Sequence, residues 1–218
     1  MNKLLTIVAS LLLAGICLTA CSEDTDDFDA YADWKTRNEV WFAAVADSAR
    51  TAIQAARQTY GDQWEEHCQW RMMRSLLKSP ATTGGATTDS ICVRILSRGE
   101  GLVSPCFTDT VRIHFRGWLM PTTTADGATE ERVFTQTYYS DFSSETAAPQ
   151  VGCVSNFKAG FSTALQYMVT GDDWMVYIPT DLFYGATNST AVPAYSAARF
   201  RISLVGIYPA GTKVPAWK

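Results

Sequence analysis

Charge is scarce in this 218-residue chain: 18 % of its residues are charged, with 18 Lys and Arg against 22 Asp and Glu, for a net charge of −4. No segment gathers the basic residues into a stripe, so nucleic acid is not an expected partner, because phosphate neutralisation needs clustered Lys and Arg. Histidine occurs only twice, as His67 and His114. No cysteine stands in a CxxC pair, and the His67–Cys68 neighbours lack a second half, so neither a metal nor a cofactor is expected. Internal repeats are absent. With 47 % apolar residues, the chain can fill one good core and an appended element, but hardly two large domains.

The first twenty residues hold one charge, Lys3, followed by an uncharged run from Leu4 to Ala20. That run is short for a membrane span, which takes ~20 apolar residues, and has the form of a secretory signal. Its end, Leu18-Thr19-Ala20-Cys21, resembles the bacterial lipobox, which implies removal of residues 1–20 and lipid attachment at Cys21. The next stretch (Ser22, Glu23, Asp24, Thr25, Asp26, Asp27, Phe28, Asp29) reads as an extended acidic tether over 21–32. It resembles the acidic segment that follows the lipidated cysteine in surface lipoproteins of Bacteroidetes. Loss of Lys3 leaves 17 basic and 22 acidic side chains, a net of −5. The implied location is an outer membrane, on its periplasmic or cell-surface side. Cys68, Cys92, Cys106 and Cys153 then face a disulfide-permissive compartment as structural thiols or bridges, with all three pairings open.

From Asp33 to Tyr60, Trp34, Trp41, Phe42, Val45, Ala49, Ile53 and Ala56 recur every three to four residues, which predicts one long amphipathic helix capped by Asp33 and ended by Gly61. Its aromatic stripe suits packing against a neighbouring domain, and the helix over 33–60 is an expected stalk or oligomer contact. Residues 33–89 thus hold this helix, a segment 69–77 able to pair as an extra edge strand, and a Gly-, Thr- and Pro-rich linker over 78–89. From Ser90 the period changes to two: Ile91, Val93 and Ile95, then Val111, Ile113 and Phe115, alternate as strands. Phe161, Leu165 and Met168 predict one short helix over 159–169, and Trp174–Pro179 and Arg199–Tyr208 alternate again. The class is α+β: over 90–210, an antiparallel sheet around one short helix.

Five blocks in this order resemble the FKBP-type peptidyl-prolyl cis/trans isomerases. Asp109-Thr-Val-Arg-Ile-His-Phe-Arg-Gly-Trp-Leu119 looks like D-x-V-x-V-x-Y-x-G-x-L, and Arg132-Val-Phe134 like the start of G-x-x-F-D-S. Asn156-Phe-Lys-Ala-Gly-Phe161, with Ala164-Leu165, Met168 and Gly171-Asp172, looks like V-I-x-G-W/F-x-x-A-L-x-x-M-x-x-G. Ile178-Pro-Thr-Asp-Leu-Phe-Tyr-Gly185 and Val192-Pro193 with Phe200, Leu204 and Ile207 match the closing blocks. The resemblance covers about residues 91–208, and the helix with Trp34, Lys35, Arg37, Asn38 and Phe42 is more loosely similar to the preface of FKBP-like lipoproteins.

The family resemblance implies an antiparallel sheet curved around the short helix and an activity that rotates X-Pro bonds in proline-containing polypeptides, here exported ones. Macrolides are an implied ligand class. It places Phe115, Phe134, Tyr184 and Phe200 as catalytic, and Thr135, Phe157, Lys158, Phe161 and Val192 as substrate-binding residues. Tyr184 would donate its phenolic hydrogen to a substrate carbonyl, as would the backbone amide of Lys158. Four residues depart from the pattern: Thr135 replaces an Asp, Lys158 an Ile, Phe115 a Tyr and Phe161 a Trp. The Thr135 and Lys158 changes support an alternative, a catalytically weak binding or chaperone module on the same scaffold. The segments 120–133 and 138–149 are longer than the family's hairpins and are expected to be tolerated insertions flanking the pocket.

Overall fold

The computed structural model describes residues 29–78, 85–143 and 147–217. The lipobox, the lipid attachment at Cys21 and the acidic tether up to Phe28 lie outside the described residues. Helix α1 spans Trp34–Tyr60, and after a 3-10 turn a single turn α2 covers Trp64–His67. Strands β1 (Trp70–Arg74), β2 (Ser90–Ser97) and β3 (Thr110–Leu119) follow, then the two-residue strands β4 (Thr122–Thr123) and β5 (Thr129–Glu130). Next come β6 (Val133–Gln136), β7 (Gln150–Cys153), helix α3 (Ala159–Tyr167), β8 (Asp173–Ile178) and β9 (Ala198–Tyr208).

One sheet runs in the order β1-β2-β8-β9-β3-β6, with β7 continuing along β3 and β4-β5 forming a separate ribbon. All of its pairings are antiparallel. The strands read from the alternation of Ile91, Val93 and Ile95 and of Val111, Ile113 and Phe115 are present. Segment 70–74 does pair with the strand beginning at Ser90, Met72 lying opposite Cys92. Period-two alternation sends one set of side chains to each face. On the inner face Ile91, Val93, Val111, Ile113, Val176, Ile202 and Leu204 join Leu165 and Met168 of the α3 region in one core. Gly160 allows α3 to press onto the sheet, since a Cβ there would stand 2.3 Å from Cγ2 of Ile178.

Helix α1 covers the opposite face over β1, β2 and β8, burying Phe42, Ala46 and Ala49 against Cys92, with Trp70, Met72 and Tyr177 packed alongside. Its apolar stripe is therefore occupied by the chain's own sheet, which removes it as a projecting stalk. The buried positions are Trp34, Asn38, Phe42, Ala46, Ala49, Ile53 and Ala56. Trp41 and Val45, expected in the seam, are only half-buried, while Asn38 is fully buried and working. Its amide donates to the Trp34 carbonyl at 2.7 Å, and its Oδ1 accepts the Ala197 N–H at 2.8 Å. Trp34 Nε1 donates to Ser196 Oγ at 3.0 Å. Asp33 does not cap the helix as expected: it adopts φ 52° and its side chain makes no capping bond. Instead the Arg37 guanidinium donates to the carbonyls of Ala30 and Ala32. Gly61 does end the helix, at φ 55°, with its N–H on the Arg57 carbonyl.

The outer face of β3 is roofed by two irregular segments. His114 is fully buried, with Phe142 5.2 Å and Trp217 6.0 Å from its ring. Arg112 donates to the Pro215 carbonyl and lies over the Trp217 ring. Among the described residues neither ring nitrogen of His114 has a hydrogen-bond partner, and burial holds its pKa below the ordinary value. Cys68, Cys92, Cys106 and Cys153 are free thiols, and burial pushes the Cys92 thiol up to about 12. Among the described residues no helix is long and apolar enough to cross a membrane.

The unfolded chain protonates His114 near pH ~6.5, whereas the folded one resists the proton, so the unfolded state binds more protons as pH falls. The contribution of His114 is present in full above about pH 6.5 and is lost below it. Urea unfolding between about pH 7 and pH 5 should show a stability loss no steeper than about 1.4 kcal/mol per pH unit from this site. That part of the slope should vanish in His114→Phe; an unchanged slope would contradict it.

Candidate functional site

The hollow is built from ring packing on β9. Phe200 stands opposite Gly117 on β3 and Val176 on β8. A Cβ on Gly117 would come within 2.5 Å of Phe200 Cε1 and 3.0 Å of Phe134 Cζ, so the absence of a side chain there lets both rings lie across β3. Phe200 meets Phe161 at 5.0 Å, Phe134 at 5.4 Å, Phe183 at 5.9 Å and Phe115 at 6.4 Å between centroids, each time edge to face. This arrangement matches the positive edge of one ring to the negative face of the next. Phe157 stacks on Phe161 at 4.9 Å and 18°, which carries the wall up from the start of α3.

Phe115, Phe161, Phe183, Val192 and Phe200 are buried and make the floor. Phe134, Phe157 and Tyr184 are half-buried and make the rim. Together they enclose an open hollow of about 380 Å³, whose lining also includes Thr135, Gln150, Asn156, Lys158, Ser189 and Ala191. All nine residues proposed from the sequence as catalytic or substrate-binding therefore meet around one space: Phe115, Phe134, Thr135, Phe157, Lys158, Phe161, Tyr184, Val192 and Phe200. Five lining residues had not been expected: Phe183, Gln150, Asn156, Ser189 and Ala191. Phe183 was readable in hindsight, because it occupies the Ala of the I-P-x-x-L-A-Y-G pattern directly before Tyr184. The other four stand on loops and strand ends, where no periodicity reports orientation.

The polar residues of the lining are all exposed or half-buried. The Tyr184 ring is held between Phe183, 4.6 Å away and edge-on, and the Lys158 ammonium, 4.1 Å from its centroid, while its hydroxyl has no protein partner among the described residues. Lys158 immediately precedes α3, at φ −60° and ψ 151°, and its carbonyl accepts the Ser162 N–H. Its own N–H has no acceptor among the described residues. Two free donors thus stand at the rim of an apolar cup, the pattern of sites that take a largely apolar ligand and fix its orientation through a few hydrogen bonds. Neither long insertion lines the hollow over its described residues: 120–132 folds into the β4–β5 ribbon, and Phe142 turns to His114 on the other face of the sheet. Among the described residues, no group of three or more metal-ligating side chains gathers.

Residues 104–205 match the family model of the FKBP-type peptidyl-prolyl cis-trans isomerases. Over that segment, a little under half of its length, the chain is similar to this family. Curated relatives include the macrophage infectivity potentiator of Trypanosoma cruzi, 32 % identical over 117 residues, covering 53 % of this chain and 52 % of the relative. Another is the FKBP-type 22 kDa peptidyl-prolyl cis-trans isomerase of Escherichia coli K12, 28 % identical over 123 residues, with 56 % and 52 % covered. The chain thus spans about half the length of the curated relatives it matches. Among solved structures, a peptidyl-prolyl cis-trans isomerase from Pseudomonas syringae aligns at 22 % identity and TM-score 0.44, over 76 % of this chain and 95 % of that one. The three FKBP domains of wheat FKBP73 align at 24 % identity and TM-score 0.43, over 57 % and 48 %.

The packing of the FKBP-like domain gives a direct test of its floor. Gly117→Ala must displace the Phe200 ring, and overpacking of this kind costs about 1–3 kcal/mol. Denaturant titration should show that loss, and a variant as stable as the parent would contradict the fit of rings over Gly117.

Proposed function

We propose that the domain catalyses cis/trans rotation about X-Pro bonds of exported polypeptides. The observation that carries the reading is the convergence of Phe115, Phe134, Phe157, Phe161, Phe183 and Phe200 on one open hollow, with the Tyr184 hydroxyl free at its edge. The barrier to rotation is ~18–20 kcal/mol, because the amide loses resonance as it twists. Only groups that bind the twisted amide better than the planar one lower that barrier. The twisted imide is less dipolar than the planar form, so transfer from water into an aromatic cup penalises it less. The proline ring fills the floor over Phe200 and Phe161. The Tyr184 hydroxyl and the Lys158 N–H then donate to substrate carbonyls and fix the chain on one side of the bond while the other turns. No bond is made or broken, and no nucleophile or cofactor takes part.

A protease-coupled assay on a Pro-containing peptide tests this reading. Tyr184→Phe removes a hydrogen bond worth about 0.5–1.5 kcal/mol, so kcat/KM should drop about two- to tenfold, and Phe134→Ala should drop it further by opening the wall. A rate at background for the parent protein would refute catalysis. A binding module on the same scaffold is the second reading, favoured by Thr135 in place of the family's carboxylate and by Lys158 beside the rim. Macrolide binding without turnover would select it.

The same proposal includes anchoring: Cys21 carries lipid, and the domain stands off an outer membrane on the acidic tether. It rests on the order of Lys3, the apolar run and Leu18-Thr-Ala-Cys21. Metabolic labelling with a fatty acid in a bacterial host should mark the protein, and Cys21→Ser should abolish the label. Equal labelling of both would refute the anchor.

A further inference from the structure

Of the residues lining the hollow, Lys158 alone carries a charge. Its ammonium lies 4.1 Å from the centre of the Tyr184 ring, and no carboxylate stands within 4 Å of it among the described ion pairs. The side chain is exposed at the rim, so it keeps its hydration and remains free to meet an anion. Thr135, on the Phe134 side of the hollow, supplies no negative charge to oppose it. The local sign is therefore positive on a chain whose net charge is −4. A surface of this kind selects among otherwise similar ligands by attraction to one sign and repulsion of the other.

We infer that Lys158 makes the hollow selective for proline segments with an acidic residue directly beside the proline. The inference rests on the proline-binding reading above and gives it a substrate class. The ammonium sits beside the phenol that meets the substrate main chain, so the side chain within its reach is that of a residue flanking the proline. An aspartate or glutamate there exchanges no buried group for another: it pairs at the rim in water, where such contacts are modest and weaken with salt. The expected discrimination is accordingly a few-fold.

The test uses the full chain and short peptides carrying Glu, Gln or Lys immediately before or after the proline, with isomerisation followed by NMR exchange spectroscopy. For at least one of the two flanks, kcat/KM for Glu should exceed that for Gln by about two- to fivefold at low salt. Lys should be poorer than Gln, and high salt should narrow the gap. In Lys158→Met the Glu-to-Gln ratio should fall to one whatever the absolute rate, and in Lys158→Glu the order should invert. A ratio of one in the parent protein with Gln peptides turned over overturns the inference and leaves the isomerase standing, as does a ratio that survives Lys158→Met. If no peptide turns over, the isomerase reading fails, and the same ratio is read from NMR titration of peptide binding. Preference for Glu there supports the inference, and equal affinity overturns it.

Discussion

The Phe200 ring is the constraint on which the site depends. It lies where β9 runs between β3 and β8, opposite a residue on β3 that has no side chain. Because Gly117 leaves that space, the ring can present an edge or a face to four other phenylalanines drawn from β3, β6, α3 and the turn after β8. Each edge-to-face pair contributes about 0.5–1.5 kcal/mol beyond area burial, so the set fixes its own geometry. The hollow is the place where this packing stops short of closing. A cup made in this way is rigid, which suits a task in which the ligand must turn and the site must not follow it.

Helix α1 extends the same order to the far wall. Trp34 and Asn38, one turn apart, bond to Ser196 and Ala197, and Ser196 in turn donates to the Pro193 carbonyl at 2.7 Å. That segment runs from Val192 on the floor of the hollow to the start of β9. The helix therefore acts through the backbone that carries the lining residue Val192, while its apolar stripe shields the opposite face of the sheet. Removing it would expose Cys92, Met72 and Tyr177 and would also release the chain on which Val192 is mounted.

What could be read from the sequence follows from where a residue's burial is set by local period. Alternation located the strands at 90–97 and 110–119, a run of long apolar side chains marked the edge segment over 69–77 that pairs at 70–74, and the family resemblance, not spacing, named every aromatic found around the hollow except Phe183. Three features escaped because long-range contacts decided them. Asn38 looks like a solvent residue in any helical projection, yet the unpaired N–H of Ala197 draws it inside. Asp33 has the right chemistry for a cap, but the chain enters the helix in a left-handed turn held by Arg37, which leaves its carboxylate pointing elsewhere. His114 sits in an alternating strand whose outer face would ordinarily be wet, and only Phe142 and Trp217, far away in sequence, make it dry.

Two of the departures from the family pattern, Thr135 and Lys158, act on one quantity. Replacing a carboxylate by the Thr135 hydroxyl removes negative charge from one side of the hollow, and Lys158 adds positive charge at the other rim. Neither touches the floor, where Phe115, Phe161 and Phe200 keep the apolar surface that a proline ring needs. Desolvation of the imide depends on that floor, whereas the choice of neighbour depends on the rim, and the two are separable because an exposed ammonium in water alters the field at the edge far more than the polarity beneath it. Under the proposed isomerase reading, a change of rim charge over a floor that stays apolar alters which prolines are taken up rather than how the amide is turned.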